Sequence, residues 1–195
     1  MLTVPNNSGK IILDLCGGSG SWSRPYKEAG YDVRLITLPD YDVRTYEPPE
    51  NVYGILAAPP CTDFASSGAR WFAEKDRDGR TLQSMGILVS VLEIIARSQP
   101  TFWALENPIG RIRRWLHTPA MIFNPCDFGD PYTKRTCLWG RFNIPGKTPV
   151  EPTEGSKMWR CYGGKSEYTK MMRSITPPPD SPKRFSEQTV KGGKK

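Results

Sequence analysis

The 195-residue sequence contains a single histidine and no pair of cysteines in a C-x-x-C arrangement. Its five cysteines are an odd number, which disfavours a disulfide framework, and the missing C-x-x-C pair disfavours structural zinc. One zinc site stays open as an alternative, built from His117 with Cys126, Cys137 and Cys161. Otherwise we expect no metal, and most of the thiols should be small core residues.

Long apolar segments are also missing from the sequence. No run approaches the roughly 18 consecutive apolar residues that a membrane helix requires, and the N-terminus lacks the apolar core of a signal peptide. We therefore expect a soluble protein with a cytoplasmic location and no membrane partner. A chain of this length can close one sizeable hydrophobic core.

Negative charge is in short supply, with 20 acidic side chains against 27 lysines and arginines. A positive field attracts a polyanion such as nucleic acid, although proteins that bind none can be equally basic. Several basic residues lie near the loops that carry the candidate site, namely Arg111, Arg113, Arg114, Lys134 and Arg135.

Short apolar runs alternate with segments of helical periodicity, which predicts an α/β fold with a mostly parallel sheet. The predicted strands cover residues 10–15, 33–38, 53–58, 102–105, 121–123 and 136–139, and the predicted helices cover residues 22–29, 81–97 and 111–116. The polar stretch 62–80 is predicted to be a mobile loop. Proline and glycine become frequent after Gly140, so we expect a main domain over residues 1–140 and a packed extension with a frayed basic end over residues 141–195.

Three of the predicted strands end in turns whose residues carry chemistry. Residues 14–20 read Asp-Leu-Cys-Gly-Gly-Ser-Gly, residues 59–61 read Pro-Pro-Cys, and residues 106–108 read Glu-Asn-Pro. Ligands of open α/β sheets bind beyond the carboxyl ends of the strands. We therefore expect the three turns to line one cleft.

Cys61 is a candidate nucleophile, because two prolines stiffen the backbone before it and fix where its thiol points. A free thiol is largely protonated at neutral pH, so a nucleophile here needs nearby positive charge, which Arg111 or Arg135 is placed to supply. Glu106 is expected to face the same cleft, where partial burial would raise its pKa and let it act as an acid. An inert buried Cys61 and a surface Glu106 are the structural alternatives.

The glycine-rich turn lets backbone approach a ligand closely. Gly17, Gly18 and Gly20 are packed more tightly than the G-x-G-x-x-G fingerprint of dinucleotide sites. A nucleoside with a small charged end therefore fits better than a pyrophosphate, and S-adenosylmethionine is such a cofactor. A glycine turn without a ligand is the alternative.

The order and spacing of the three turns resemble those of the DNA cytosine-5 methyltransferase family. The turns look like its cofactor, nucleophile and glutamate-asparagine motifs. Residues 129–136 look like a divergent arginine-bearing motif, and residues 163–166 and 173–178 resemble the tails of compact, phage-type members. The resemblance implies the Rossmann-like fold of S-adenosylmethionine-dependent methyltransferases, with helices on both faces of the sheet, and a role in DNA methylation of the restriction-modification type.

The resemblance also implies a reaction. A methyl group would pass from S-adenosylmethionine to C5 of a cytosine flipped out of the DNA duplex, leaving S-adenosylhomocysteine. The Cys61 thiolate would add to C6 of the base, Glu106 would contact N3, and Arg135 would stabilise the base or the carboxylate. The cofactor site so implied consists of Asp14, Leu15, Cys16, Gly17, Gly18, Ser19, Gly20, Trp22, Asp42, Val43 and Pro59, and the DNA contacts are Ser66, Arg70, Arg111, Arg113 and Lys134.

The chain departs from the family pattern in three places. Tyr132, Lys134 and Arg135 stand where glutamine and two arginines are usual in the family. Asp40 has to stand in for the acid that many members place after the second strand, and the chain lacks a recognisable target recognition domain. Specificity should then be short or relaxed, or come from a partner protein. An RNA cytosine-5 methyltransferase is one alternative, and a catalytically inactive protein that binds nucleic acid or cofactor is another, although such a module needs neither Cys61 nor Glu106.

Overall fold

The computed structural model describes residues 6–156, and the apolar runs of the sequence form its strands. The strands are β1 (Ile11–Leu15), β2 (Asp32–Ile36), β3 (Val52–Ala57), β4 (Phe102–Pro108), β5 (Met121–Phe123), β6 (Tyr132–Thr133), β7 (Thr136–Arg141) and β8 (Gly155–Ser156). The helices are α1 (Arg24–Glu28), α2 (Phe72–Arg77), α3 (Arg80–Ser98) and α4 (Arg113–Leu116), with 3₁₀ helices at Ser66–Trp71 and Pro125–Phe128.

Six strands form one sheet in the order β2-β1-β3-β4-β7-β5. β1 to β4 pair in parallel, whereas β7 runs antiparallel to both of its neighbours, so β5 has the same direction as the first four strands. This is a Rossmann-like α/β fold with a mostly parallel sheet, as predicted. β6 and β8 form a separate two-stranded sheet.

Side chains that alternate along the strands build a hydrophobic core on each face of the sheet. Leu13 and Leu15 of β1 belong to the core on one face, together with Leu88 and Val91 of α3. Ile12 of β1 belongs to the other core, which also contains Tyr26 of α1 and Phe102 of β4. The helices therefore cover both faces, and the strands between them are buried.

α3 is the one helix within residues 6–156 that is long and apolar enough, by length and composition, to cross a membrane. The core helix of a soluble protein meets the same criterion. In this fold α3 places Leu88, Val91 and Ile94 in the hydrophobic core against the sheet.

The predicted strands and helices are confirmed, with shifts of one to three residues at most of their ends. The mobile loop predicted over residues 62–80 is wrong, because this segment folds into a 3₁₀ helix followed by α2. Buried Lys75 pairs with Asp63 at 2.9 Å, and the Thr81 hydroxyl donates a 2.6 Å hydrogen bond to Asp76, so the segment is tied to itself and to α3.

The first part of the predicted extension contacts the main domain. The backbone N–H groups of Thr148 and Val150 donate 2.9 Å hydrogen bonds to the carbonyls of Asp127 and Cys126, and β8 pairs with β6. Residues 157–195, with the predicted tail motifs and Cys161, lie outside the described residues. The domain boundary at residue 140 stays a prediction.

Candidate active site

The three chemically interesting turns lie at the same edge of the sheet. β1, β3 and β4 are parallel neighbours, and the glycine-rich turn, the Cys61 turn and the Glu106 segment stand at their carboxyl ends. Asn107 ties two of them together, because its buried side-chain amide donates a 3.0 Å hydrogen bond to the carbonyl of Pro59. The structure therefore brings together the residues that the sequence predicted would share a cleft.

Cys61 lies in a turn closed by the backbone, whose carbonyl accepts 2.9 Å hydrogen bonds from the N–H groups of Phe64 and Ala65. Burial raises the pKa of the Cys61 thiol, and the charge of Glu106 raises it further. Lys134 acts in the opposite direction and lowers this pKa. The thiol is thus protonated in the free protein, with a carboxyl group and an ammonium group both within electrostatic reach.

Glu106 is 5% exposed, and its Oε1 atom is buried without a hydrogen-bond partner among the described residues. Burial raises the pKa of this carboxyl group, and Lys134 lowers it in part. The Lys134 ammonium nitrogen lies 4.0 Å from Oε1, too far for a hydrogen bond but close enough for an ion pair. The raised pKa favours the protonated form of this carboxyl group, which is the form that can donate a proton.

The predicted source of positive charge needs correction. Arg135 was expected to stabilise the base or the carboxylate, but its side chain is exposed, whereas the neighbouring Lys134 is buried. Lys134 was expected to contact DNA, and it instead faces Glu106. The chain between β6 and β7 turns the lysine inward, which the sequence pattern of two adjacent basic residues could not indicate.

Arg111 needs a second correction, because it was expected to contact DNA or to activate Cys61. Its guanidinium donates hydrogen bonds to the Asp63 carbonyl at 2.8 Å, to Asp76 at 2.9 Å and to the Thr81 hydroxyl at 2.7 Å. It also stacks 3.8 Å from the centre of the Phe72 ring. Arg111 is therefore used inside the protein, where it joins the turn after Glu106 to the segment after Cys61.

The other predicted DNA contacts lie on the surface beside this junction. Ser66, Arg70 and Arg113 are exposed, and the Arg70 guanidinium lies 5.2 Å from the centre of the Trp71 ring. The backbone N–H of Ser66 donates a 3.0 Å hydrogen bond to the carbonyl of Ile109, which holds Ser66 next to the turn after Glu106.

Sequence reasoning missed the buried polar network that holds the segment after Cys61. Lys75 pairs with Asp63, and Asp63 also accepts a 2.6 Å hydrogen bond from the Ser84 hydroxyl. Lys75 stands in a charged run and has no local signal of burial. Its partner is twelve residues away, so only the folded chain identifies the pair.

The glycine-rich turn is shaped as much by Asp14 as by space for a ligand. A Cβ atom added to Gly17 would lie 2.2 Å from a carboxylate oxygen of Asp14, so glycine is required there for an internal reason. Gly18 and Gly20 have φ of 56° and 69°, and a Cβ on Gly18 would meet open space. The open side of the turn is thus at Gly18 and the exposed Ser19.

Asp14 is completely buried, and neither carboxylate oxygen has a well-formed hydrogen bond within the described part of the chain. Burial raises its pKa to about 6, which the nearby Ser23 hydroxyl and backbone opposes only in part. Burial also raises the pKa of Cys16 to about 11, with further contributions from the charges of Asp14 and Asp42. The carboxyl groups of Asp14 and Asp42 therefore both lie within electrostatic reach of the Cys16 thiol.

The remaining predicted cofactor contacts divide between the site and the core. Arg44 binds Asp42 at 2.5 Å and lowers the pKa of this carboxyl group to about 2. Val43, Leu15 and Trp22 are buried in the hydrophobic cores, and their role as cofactor contacts stays a prediction. Pro59 is buried and accepts the hydrogen bond of Asn107.

The carboxylates near the glycine-rich turn fit a cofactor. The buried carboxylate of Asp14, an open glycine turn and a second carboxylate at Asp42 suit a ligand with a cationic group and a nucleoside, as in S-adenosylmethionine. Within residues 6–156 no three histidine, cysteine or acidic side chains stand together as metal ligands.

Comparison with known proteins finds similarity to methyltransferases. No family model matches the chain. It is 23% identical over 211 aligned residues to the type II methyltransferase M.DdeI of Desulfomicrobium norvegicum, an alignment that covers 85% of this chain and 47% of that protein. The chain therefore spans about half the length of this curated relative. The similarity supports the expected relationship to methyltransferases.

Two solved structures are also similar. A protein described as a DNA modification methyltransferase encoded within an E. coli prophage has a TM-score of 0.49 and 16% identity, over 73% of this chain and 52% of that one. The S. pombe Dnmt2 methyltransferase has a TM-score of 0.42 and 14% identity, over 72% and 52% of the two chains. Because both TM-scores are below 0.5, the assignment of the fold depends on the strand order of the sheet and not on these two structures.

Proposed function

We propose that this chain is an S-adenosylmethionine-dependent DNA cytosine-5 methyltransferase that acts through a covalent adduct of Cys61. The observation that carries the proposal is the position of a thiol and a buried carboxyl group at the carboxyl ends of two neighbouring parallel strands, joined by the hydrogen bond from Asn107 to Pro59. Glu106 influences the titration of Cys61, and Lys134 influences both groups. A binding module needs neither a nucleophile nor an acid in this arrangement.

The relationship to a type II methyltransferase supports the same reaction class, since the alignment covers most of this chain. The alignment covers less than half of the relative, so the properties of that whole protein do not carry over to this chain. We therefore include in the proposal that a protein partner supplies sequence specificity and that the protein is cytoplasmic. Membership of a compact, phage-type group is a further part. DNA is the proposed substrate because the surface beside Cys61 carries exposed arginines.

The glycine-rich turn is the proposed cofactor site, where S-adenosylmethionine supplies the methyl group. The buried carboxylate of Asp14 provides an acceptor for a cationic group, and Gly18 leaves room for close approach of the ligand to the backbone. Asp42 lies within electrostatic reach of Cys16, which belongs to the same turn. Asp40 is exposed and is the proposed substitute for the missing acid after β2.

Cys61 begins the proposed reaction by losing its proton to solvent and forming a bond from Sγ to C6 of the cytosine. Lys134 favours this step, because an ammonium group stabilises the thiolate. Glu106 in its protonated form donates to N3, which lets the electron pair of the C5–C6 bond move to C5. Carbon 5 would then take the methyl group as its bond to the sulfonium sulfur of the donor breaks, which leaves the neutral thioether of S-adenosylhomocysteine, and the N3 proton would return to Glu106. Solvent would accept the C5 proton, the electron pair of that C–H bond would re-form the C5–C6 double bond, and Sγ would leave C6 as the thiolate.

Asn107 fixes the positions of Glu106 and Cys61 relative to each other. Its side chain joins β4, which carries Glu106, to the Pro59 carbonyl two residues before Cys61. Such positioning lowers the entropic cost of bringing both groups to one base.

Covalent trapping tests the proposal. A DNA duplex containing 5-fluorocytosine should form a stable adduct with the protein when S-adenosylmethionine is present, because fluorine cannot leave C5 as a proton does. Mass spectrometry should place the adduct on Cys61. A Cys61→Ala variant should form no adduct and transfer no labelled methyl group, while calorimetry should find its cofactor affinity nearly unchanged.

The outcomes separate the alternatives. Loss of cofactor affinity in Cys61→Ala would assign the thiol a structural role. Trapping on 5-fluorocytosine RNA but on no DNA would favour the RNA enzyme. Cofactor binding without trapping or methyl transfer on either polymer would favour an inactive binding protein.

A further inference from the structure

We propose that an open pocket beside the Cys61 turn binds a phosphodiester group of the DNA backbone through Arg113 and Arg114. This inference rests on the proposed function, because it requires that DNA reach Cys61. The pocket has a volume of about 520 Å³, and its wall includes Arg113, Arg114, His117, Ser66 and Thr118. Among residues 6–156, no acidic side chain forms part of this wall.

The pocket lies where the two catalytic turns continue into the surface. Gly110 is four residues beyond Glu106, and Ser66 is five residues beyond Cys61. The two segments touch through a backbone bridge between Ala65 and Gly110. A strand that delivers a base to Cys61 therefore passes next to this pocket.

The floor of the pocket is rigid. A Cβ atom on Gly110 would lie 2.0 Å from the carbonyl oxygen of Phe64, so only glycine allows this close approach of the two segments. The backbone N–H of Arg111 donates a 2.8 Å hydrogen bond to the same carbonyl, and the Arg111 side chain is held by Asp63, Asp76 and Thr81. Arg111 thus builds the site and has little donor capacity left for a ligand.

Arg113 and Arg114 differ from Arg111 in having no internal use. Within residues 6–156, neither guanidinium has an acidic side chain within 4.0 Å or a hydrogen-bond partner, and both side chains are exposed. Arg114 interacts electrostatically with Asp76, but this carboxylate is already paired with Arg111 at 2.9 Å. Several other arginines of the described chain form ion pairs with acidic side chains, including Arg34, Arg44, Arg80 and Arg97.

Two unpaired guanidinium groups at one pocket attract an anion with several acceptor oxygens. Hydroxyl donors are also present, because Ser66 and Thr118 line the same wall. A phosphodiester has two non-bridging oxygens and one negative charge, which matches this donor set. Contacts of this type carry no base information, so the pocket would position the strand rather than choose the target.

The salt dependence of DNA binding tests the pocket. Dissociation constants for an unmodified duplex would be measured over a series of salt concentrations for the wild type, for Arg113→Gln with Arg114→Gln, and for Arg97→Gln as a surface control that removes one positive charge elsewhere. The double variant should bind at least about tenfold more weakly. Its slope of log affinity against log salt should be shallower by about 1 to 2. Arg97→Gln should behave as the wild type.

Neutral linkages locate the contact. A set of duplexes, each with one methylphosphonate in the strand that carries the target cytosine, should reveal one position at which the wild type loses affinity. The double variant should be insensitive at that position and sensitive elsewhere. Equal losses for the wild type and the double variant at every position would overturn the proposal.

Covalent trapping separates this inference from the proposed function. At saturating 5-fluorocytosine DNA, the double variant should still form the Cys61 adduct, because its catalytic groups are intact. Trapping together with wild-type affinity and salt slope would overturn the pocket and leave the enzyme standing. A wild type that neither binds nor traps DNA would overturn both.

Discussion

The ammonium nitrogen of Lys134 lies 4.0 Å from Oε1 of Glu106, and both side chains are more than nine-tenths buried. Burial raises the pKa of Glu106, and the lysine reduces this rise. The same lysine lowers the pKa of Cys61, which burial and Glu106 raise. One cation thus moderates the acid and the nucleophile of the proposed reaction together.

Glu106→Gln should slow methyl transfer by about 10²- to 10⁴-fold, because glutamine cannot deliver a proton to N3 of the base. Affinity for duplex DNA should change much less, since the side chain is buried and the exposed arginines are unchanged. Single-turnover assays with labelled cofactor, with DNA binding measured in parallel, would check this. An unchanged rate would remove the carboxyl group from the mechanism.

Lys134→Met should raise the pKa of the Cys61 thiol, because the charge that favours the thiolate is lost. At a fixed pH below that pKa, alkylation of Cys61 by iodoacetamide should slow by roughly three- to tenfold. Mass spectrometry across a pH series would give the profile. Lys134→Arg keeps the charge and should restore most of the rate; identical profiles for the wild type and Lys134→Met would contradict the assigned role.

Asp14→Asn should change the pH dependence of stability. The pKa of Asp14 is about 6 in the folded protein, against an ordinary value of 3.8. The stability that the protonated form provides is present below about pH 3.8 and is lost as the pH rises through about 6, an effect of up to roughly 3 kcal/mol. Asp14→Asn lacks this loss, so its stability relative to the wild type should increase from pH 4 to pH 7.5.

Urea unfolding at the two pH values measures the Asp14 effect, and exposed Asp40→Asn is the control. The same Asp14 variant should bind S-adenosylmethionine more weakly, as calorimetry would show. If the difference in stability between the variant and the wild type did not vary with pH, the pKa of Asp14 would not be raised in the folded protein.

Arg111→Met should lower the free energy of unfolding by roughly 2–4 kcal/mol, because it leaves buried acceptors without their donor. Arg97→Met is the control, since Arg97 and Glu47 form an exposed pair, and its effect on urea unfolding should be clearly smaller. Equal effects of the two substitutions would show that the Arg111 network does not hold the segment after Cys61.

Local patterns along the chain were enough to predict much of this architecture. The periodicity of residues 81–97 predicted α3, and the apolar runs before Asp14, Cys61 and Glu106 predicted β1, β3 and β4. These signals are local, because a helix or a buried strand imposes its spacing on consecutive residues. The alternation of strands and helices along the chain indicated a parallel sheet, and a parallel sheet places the three turns at the same edge.

The polar partners depended on contacts between distant parts of the chain. Asn107 meets Pro59 and Arg111 meets Asp63 across 48 residues in each case, and no local pattern encodes such pairs. For the same reason the sequence suggested a mobile loop where Lys75 is buried, and it suggested Arg135 where Lys134 faces Glu106. Spacing tells which residues can reach an edge of the sheet, whereas burial and charge at each side chain arise only when the elements pack.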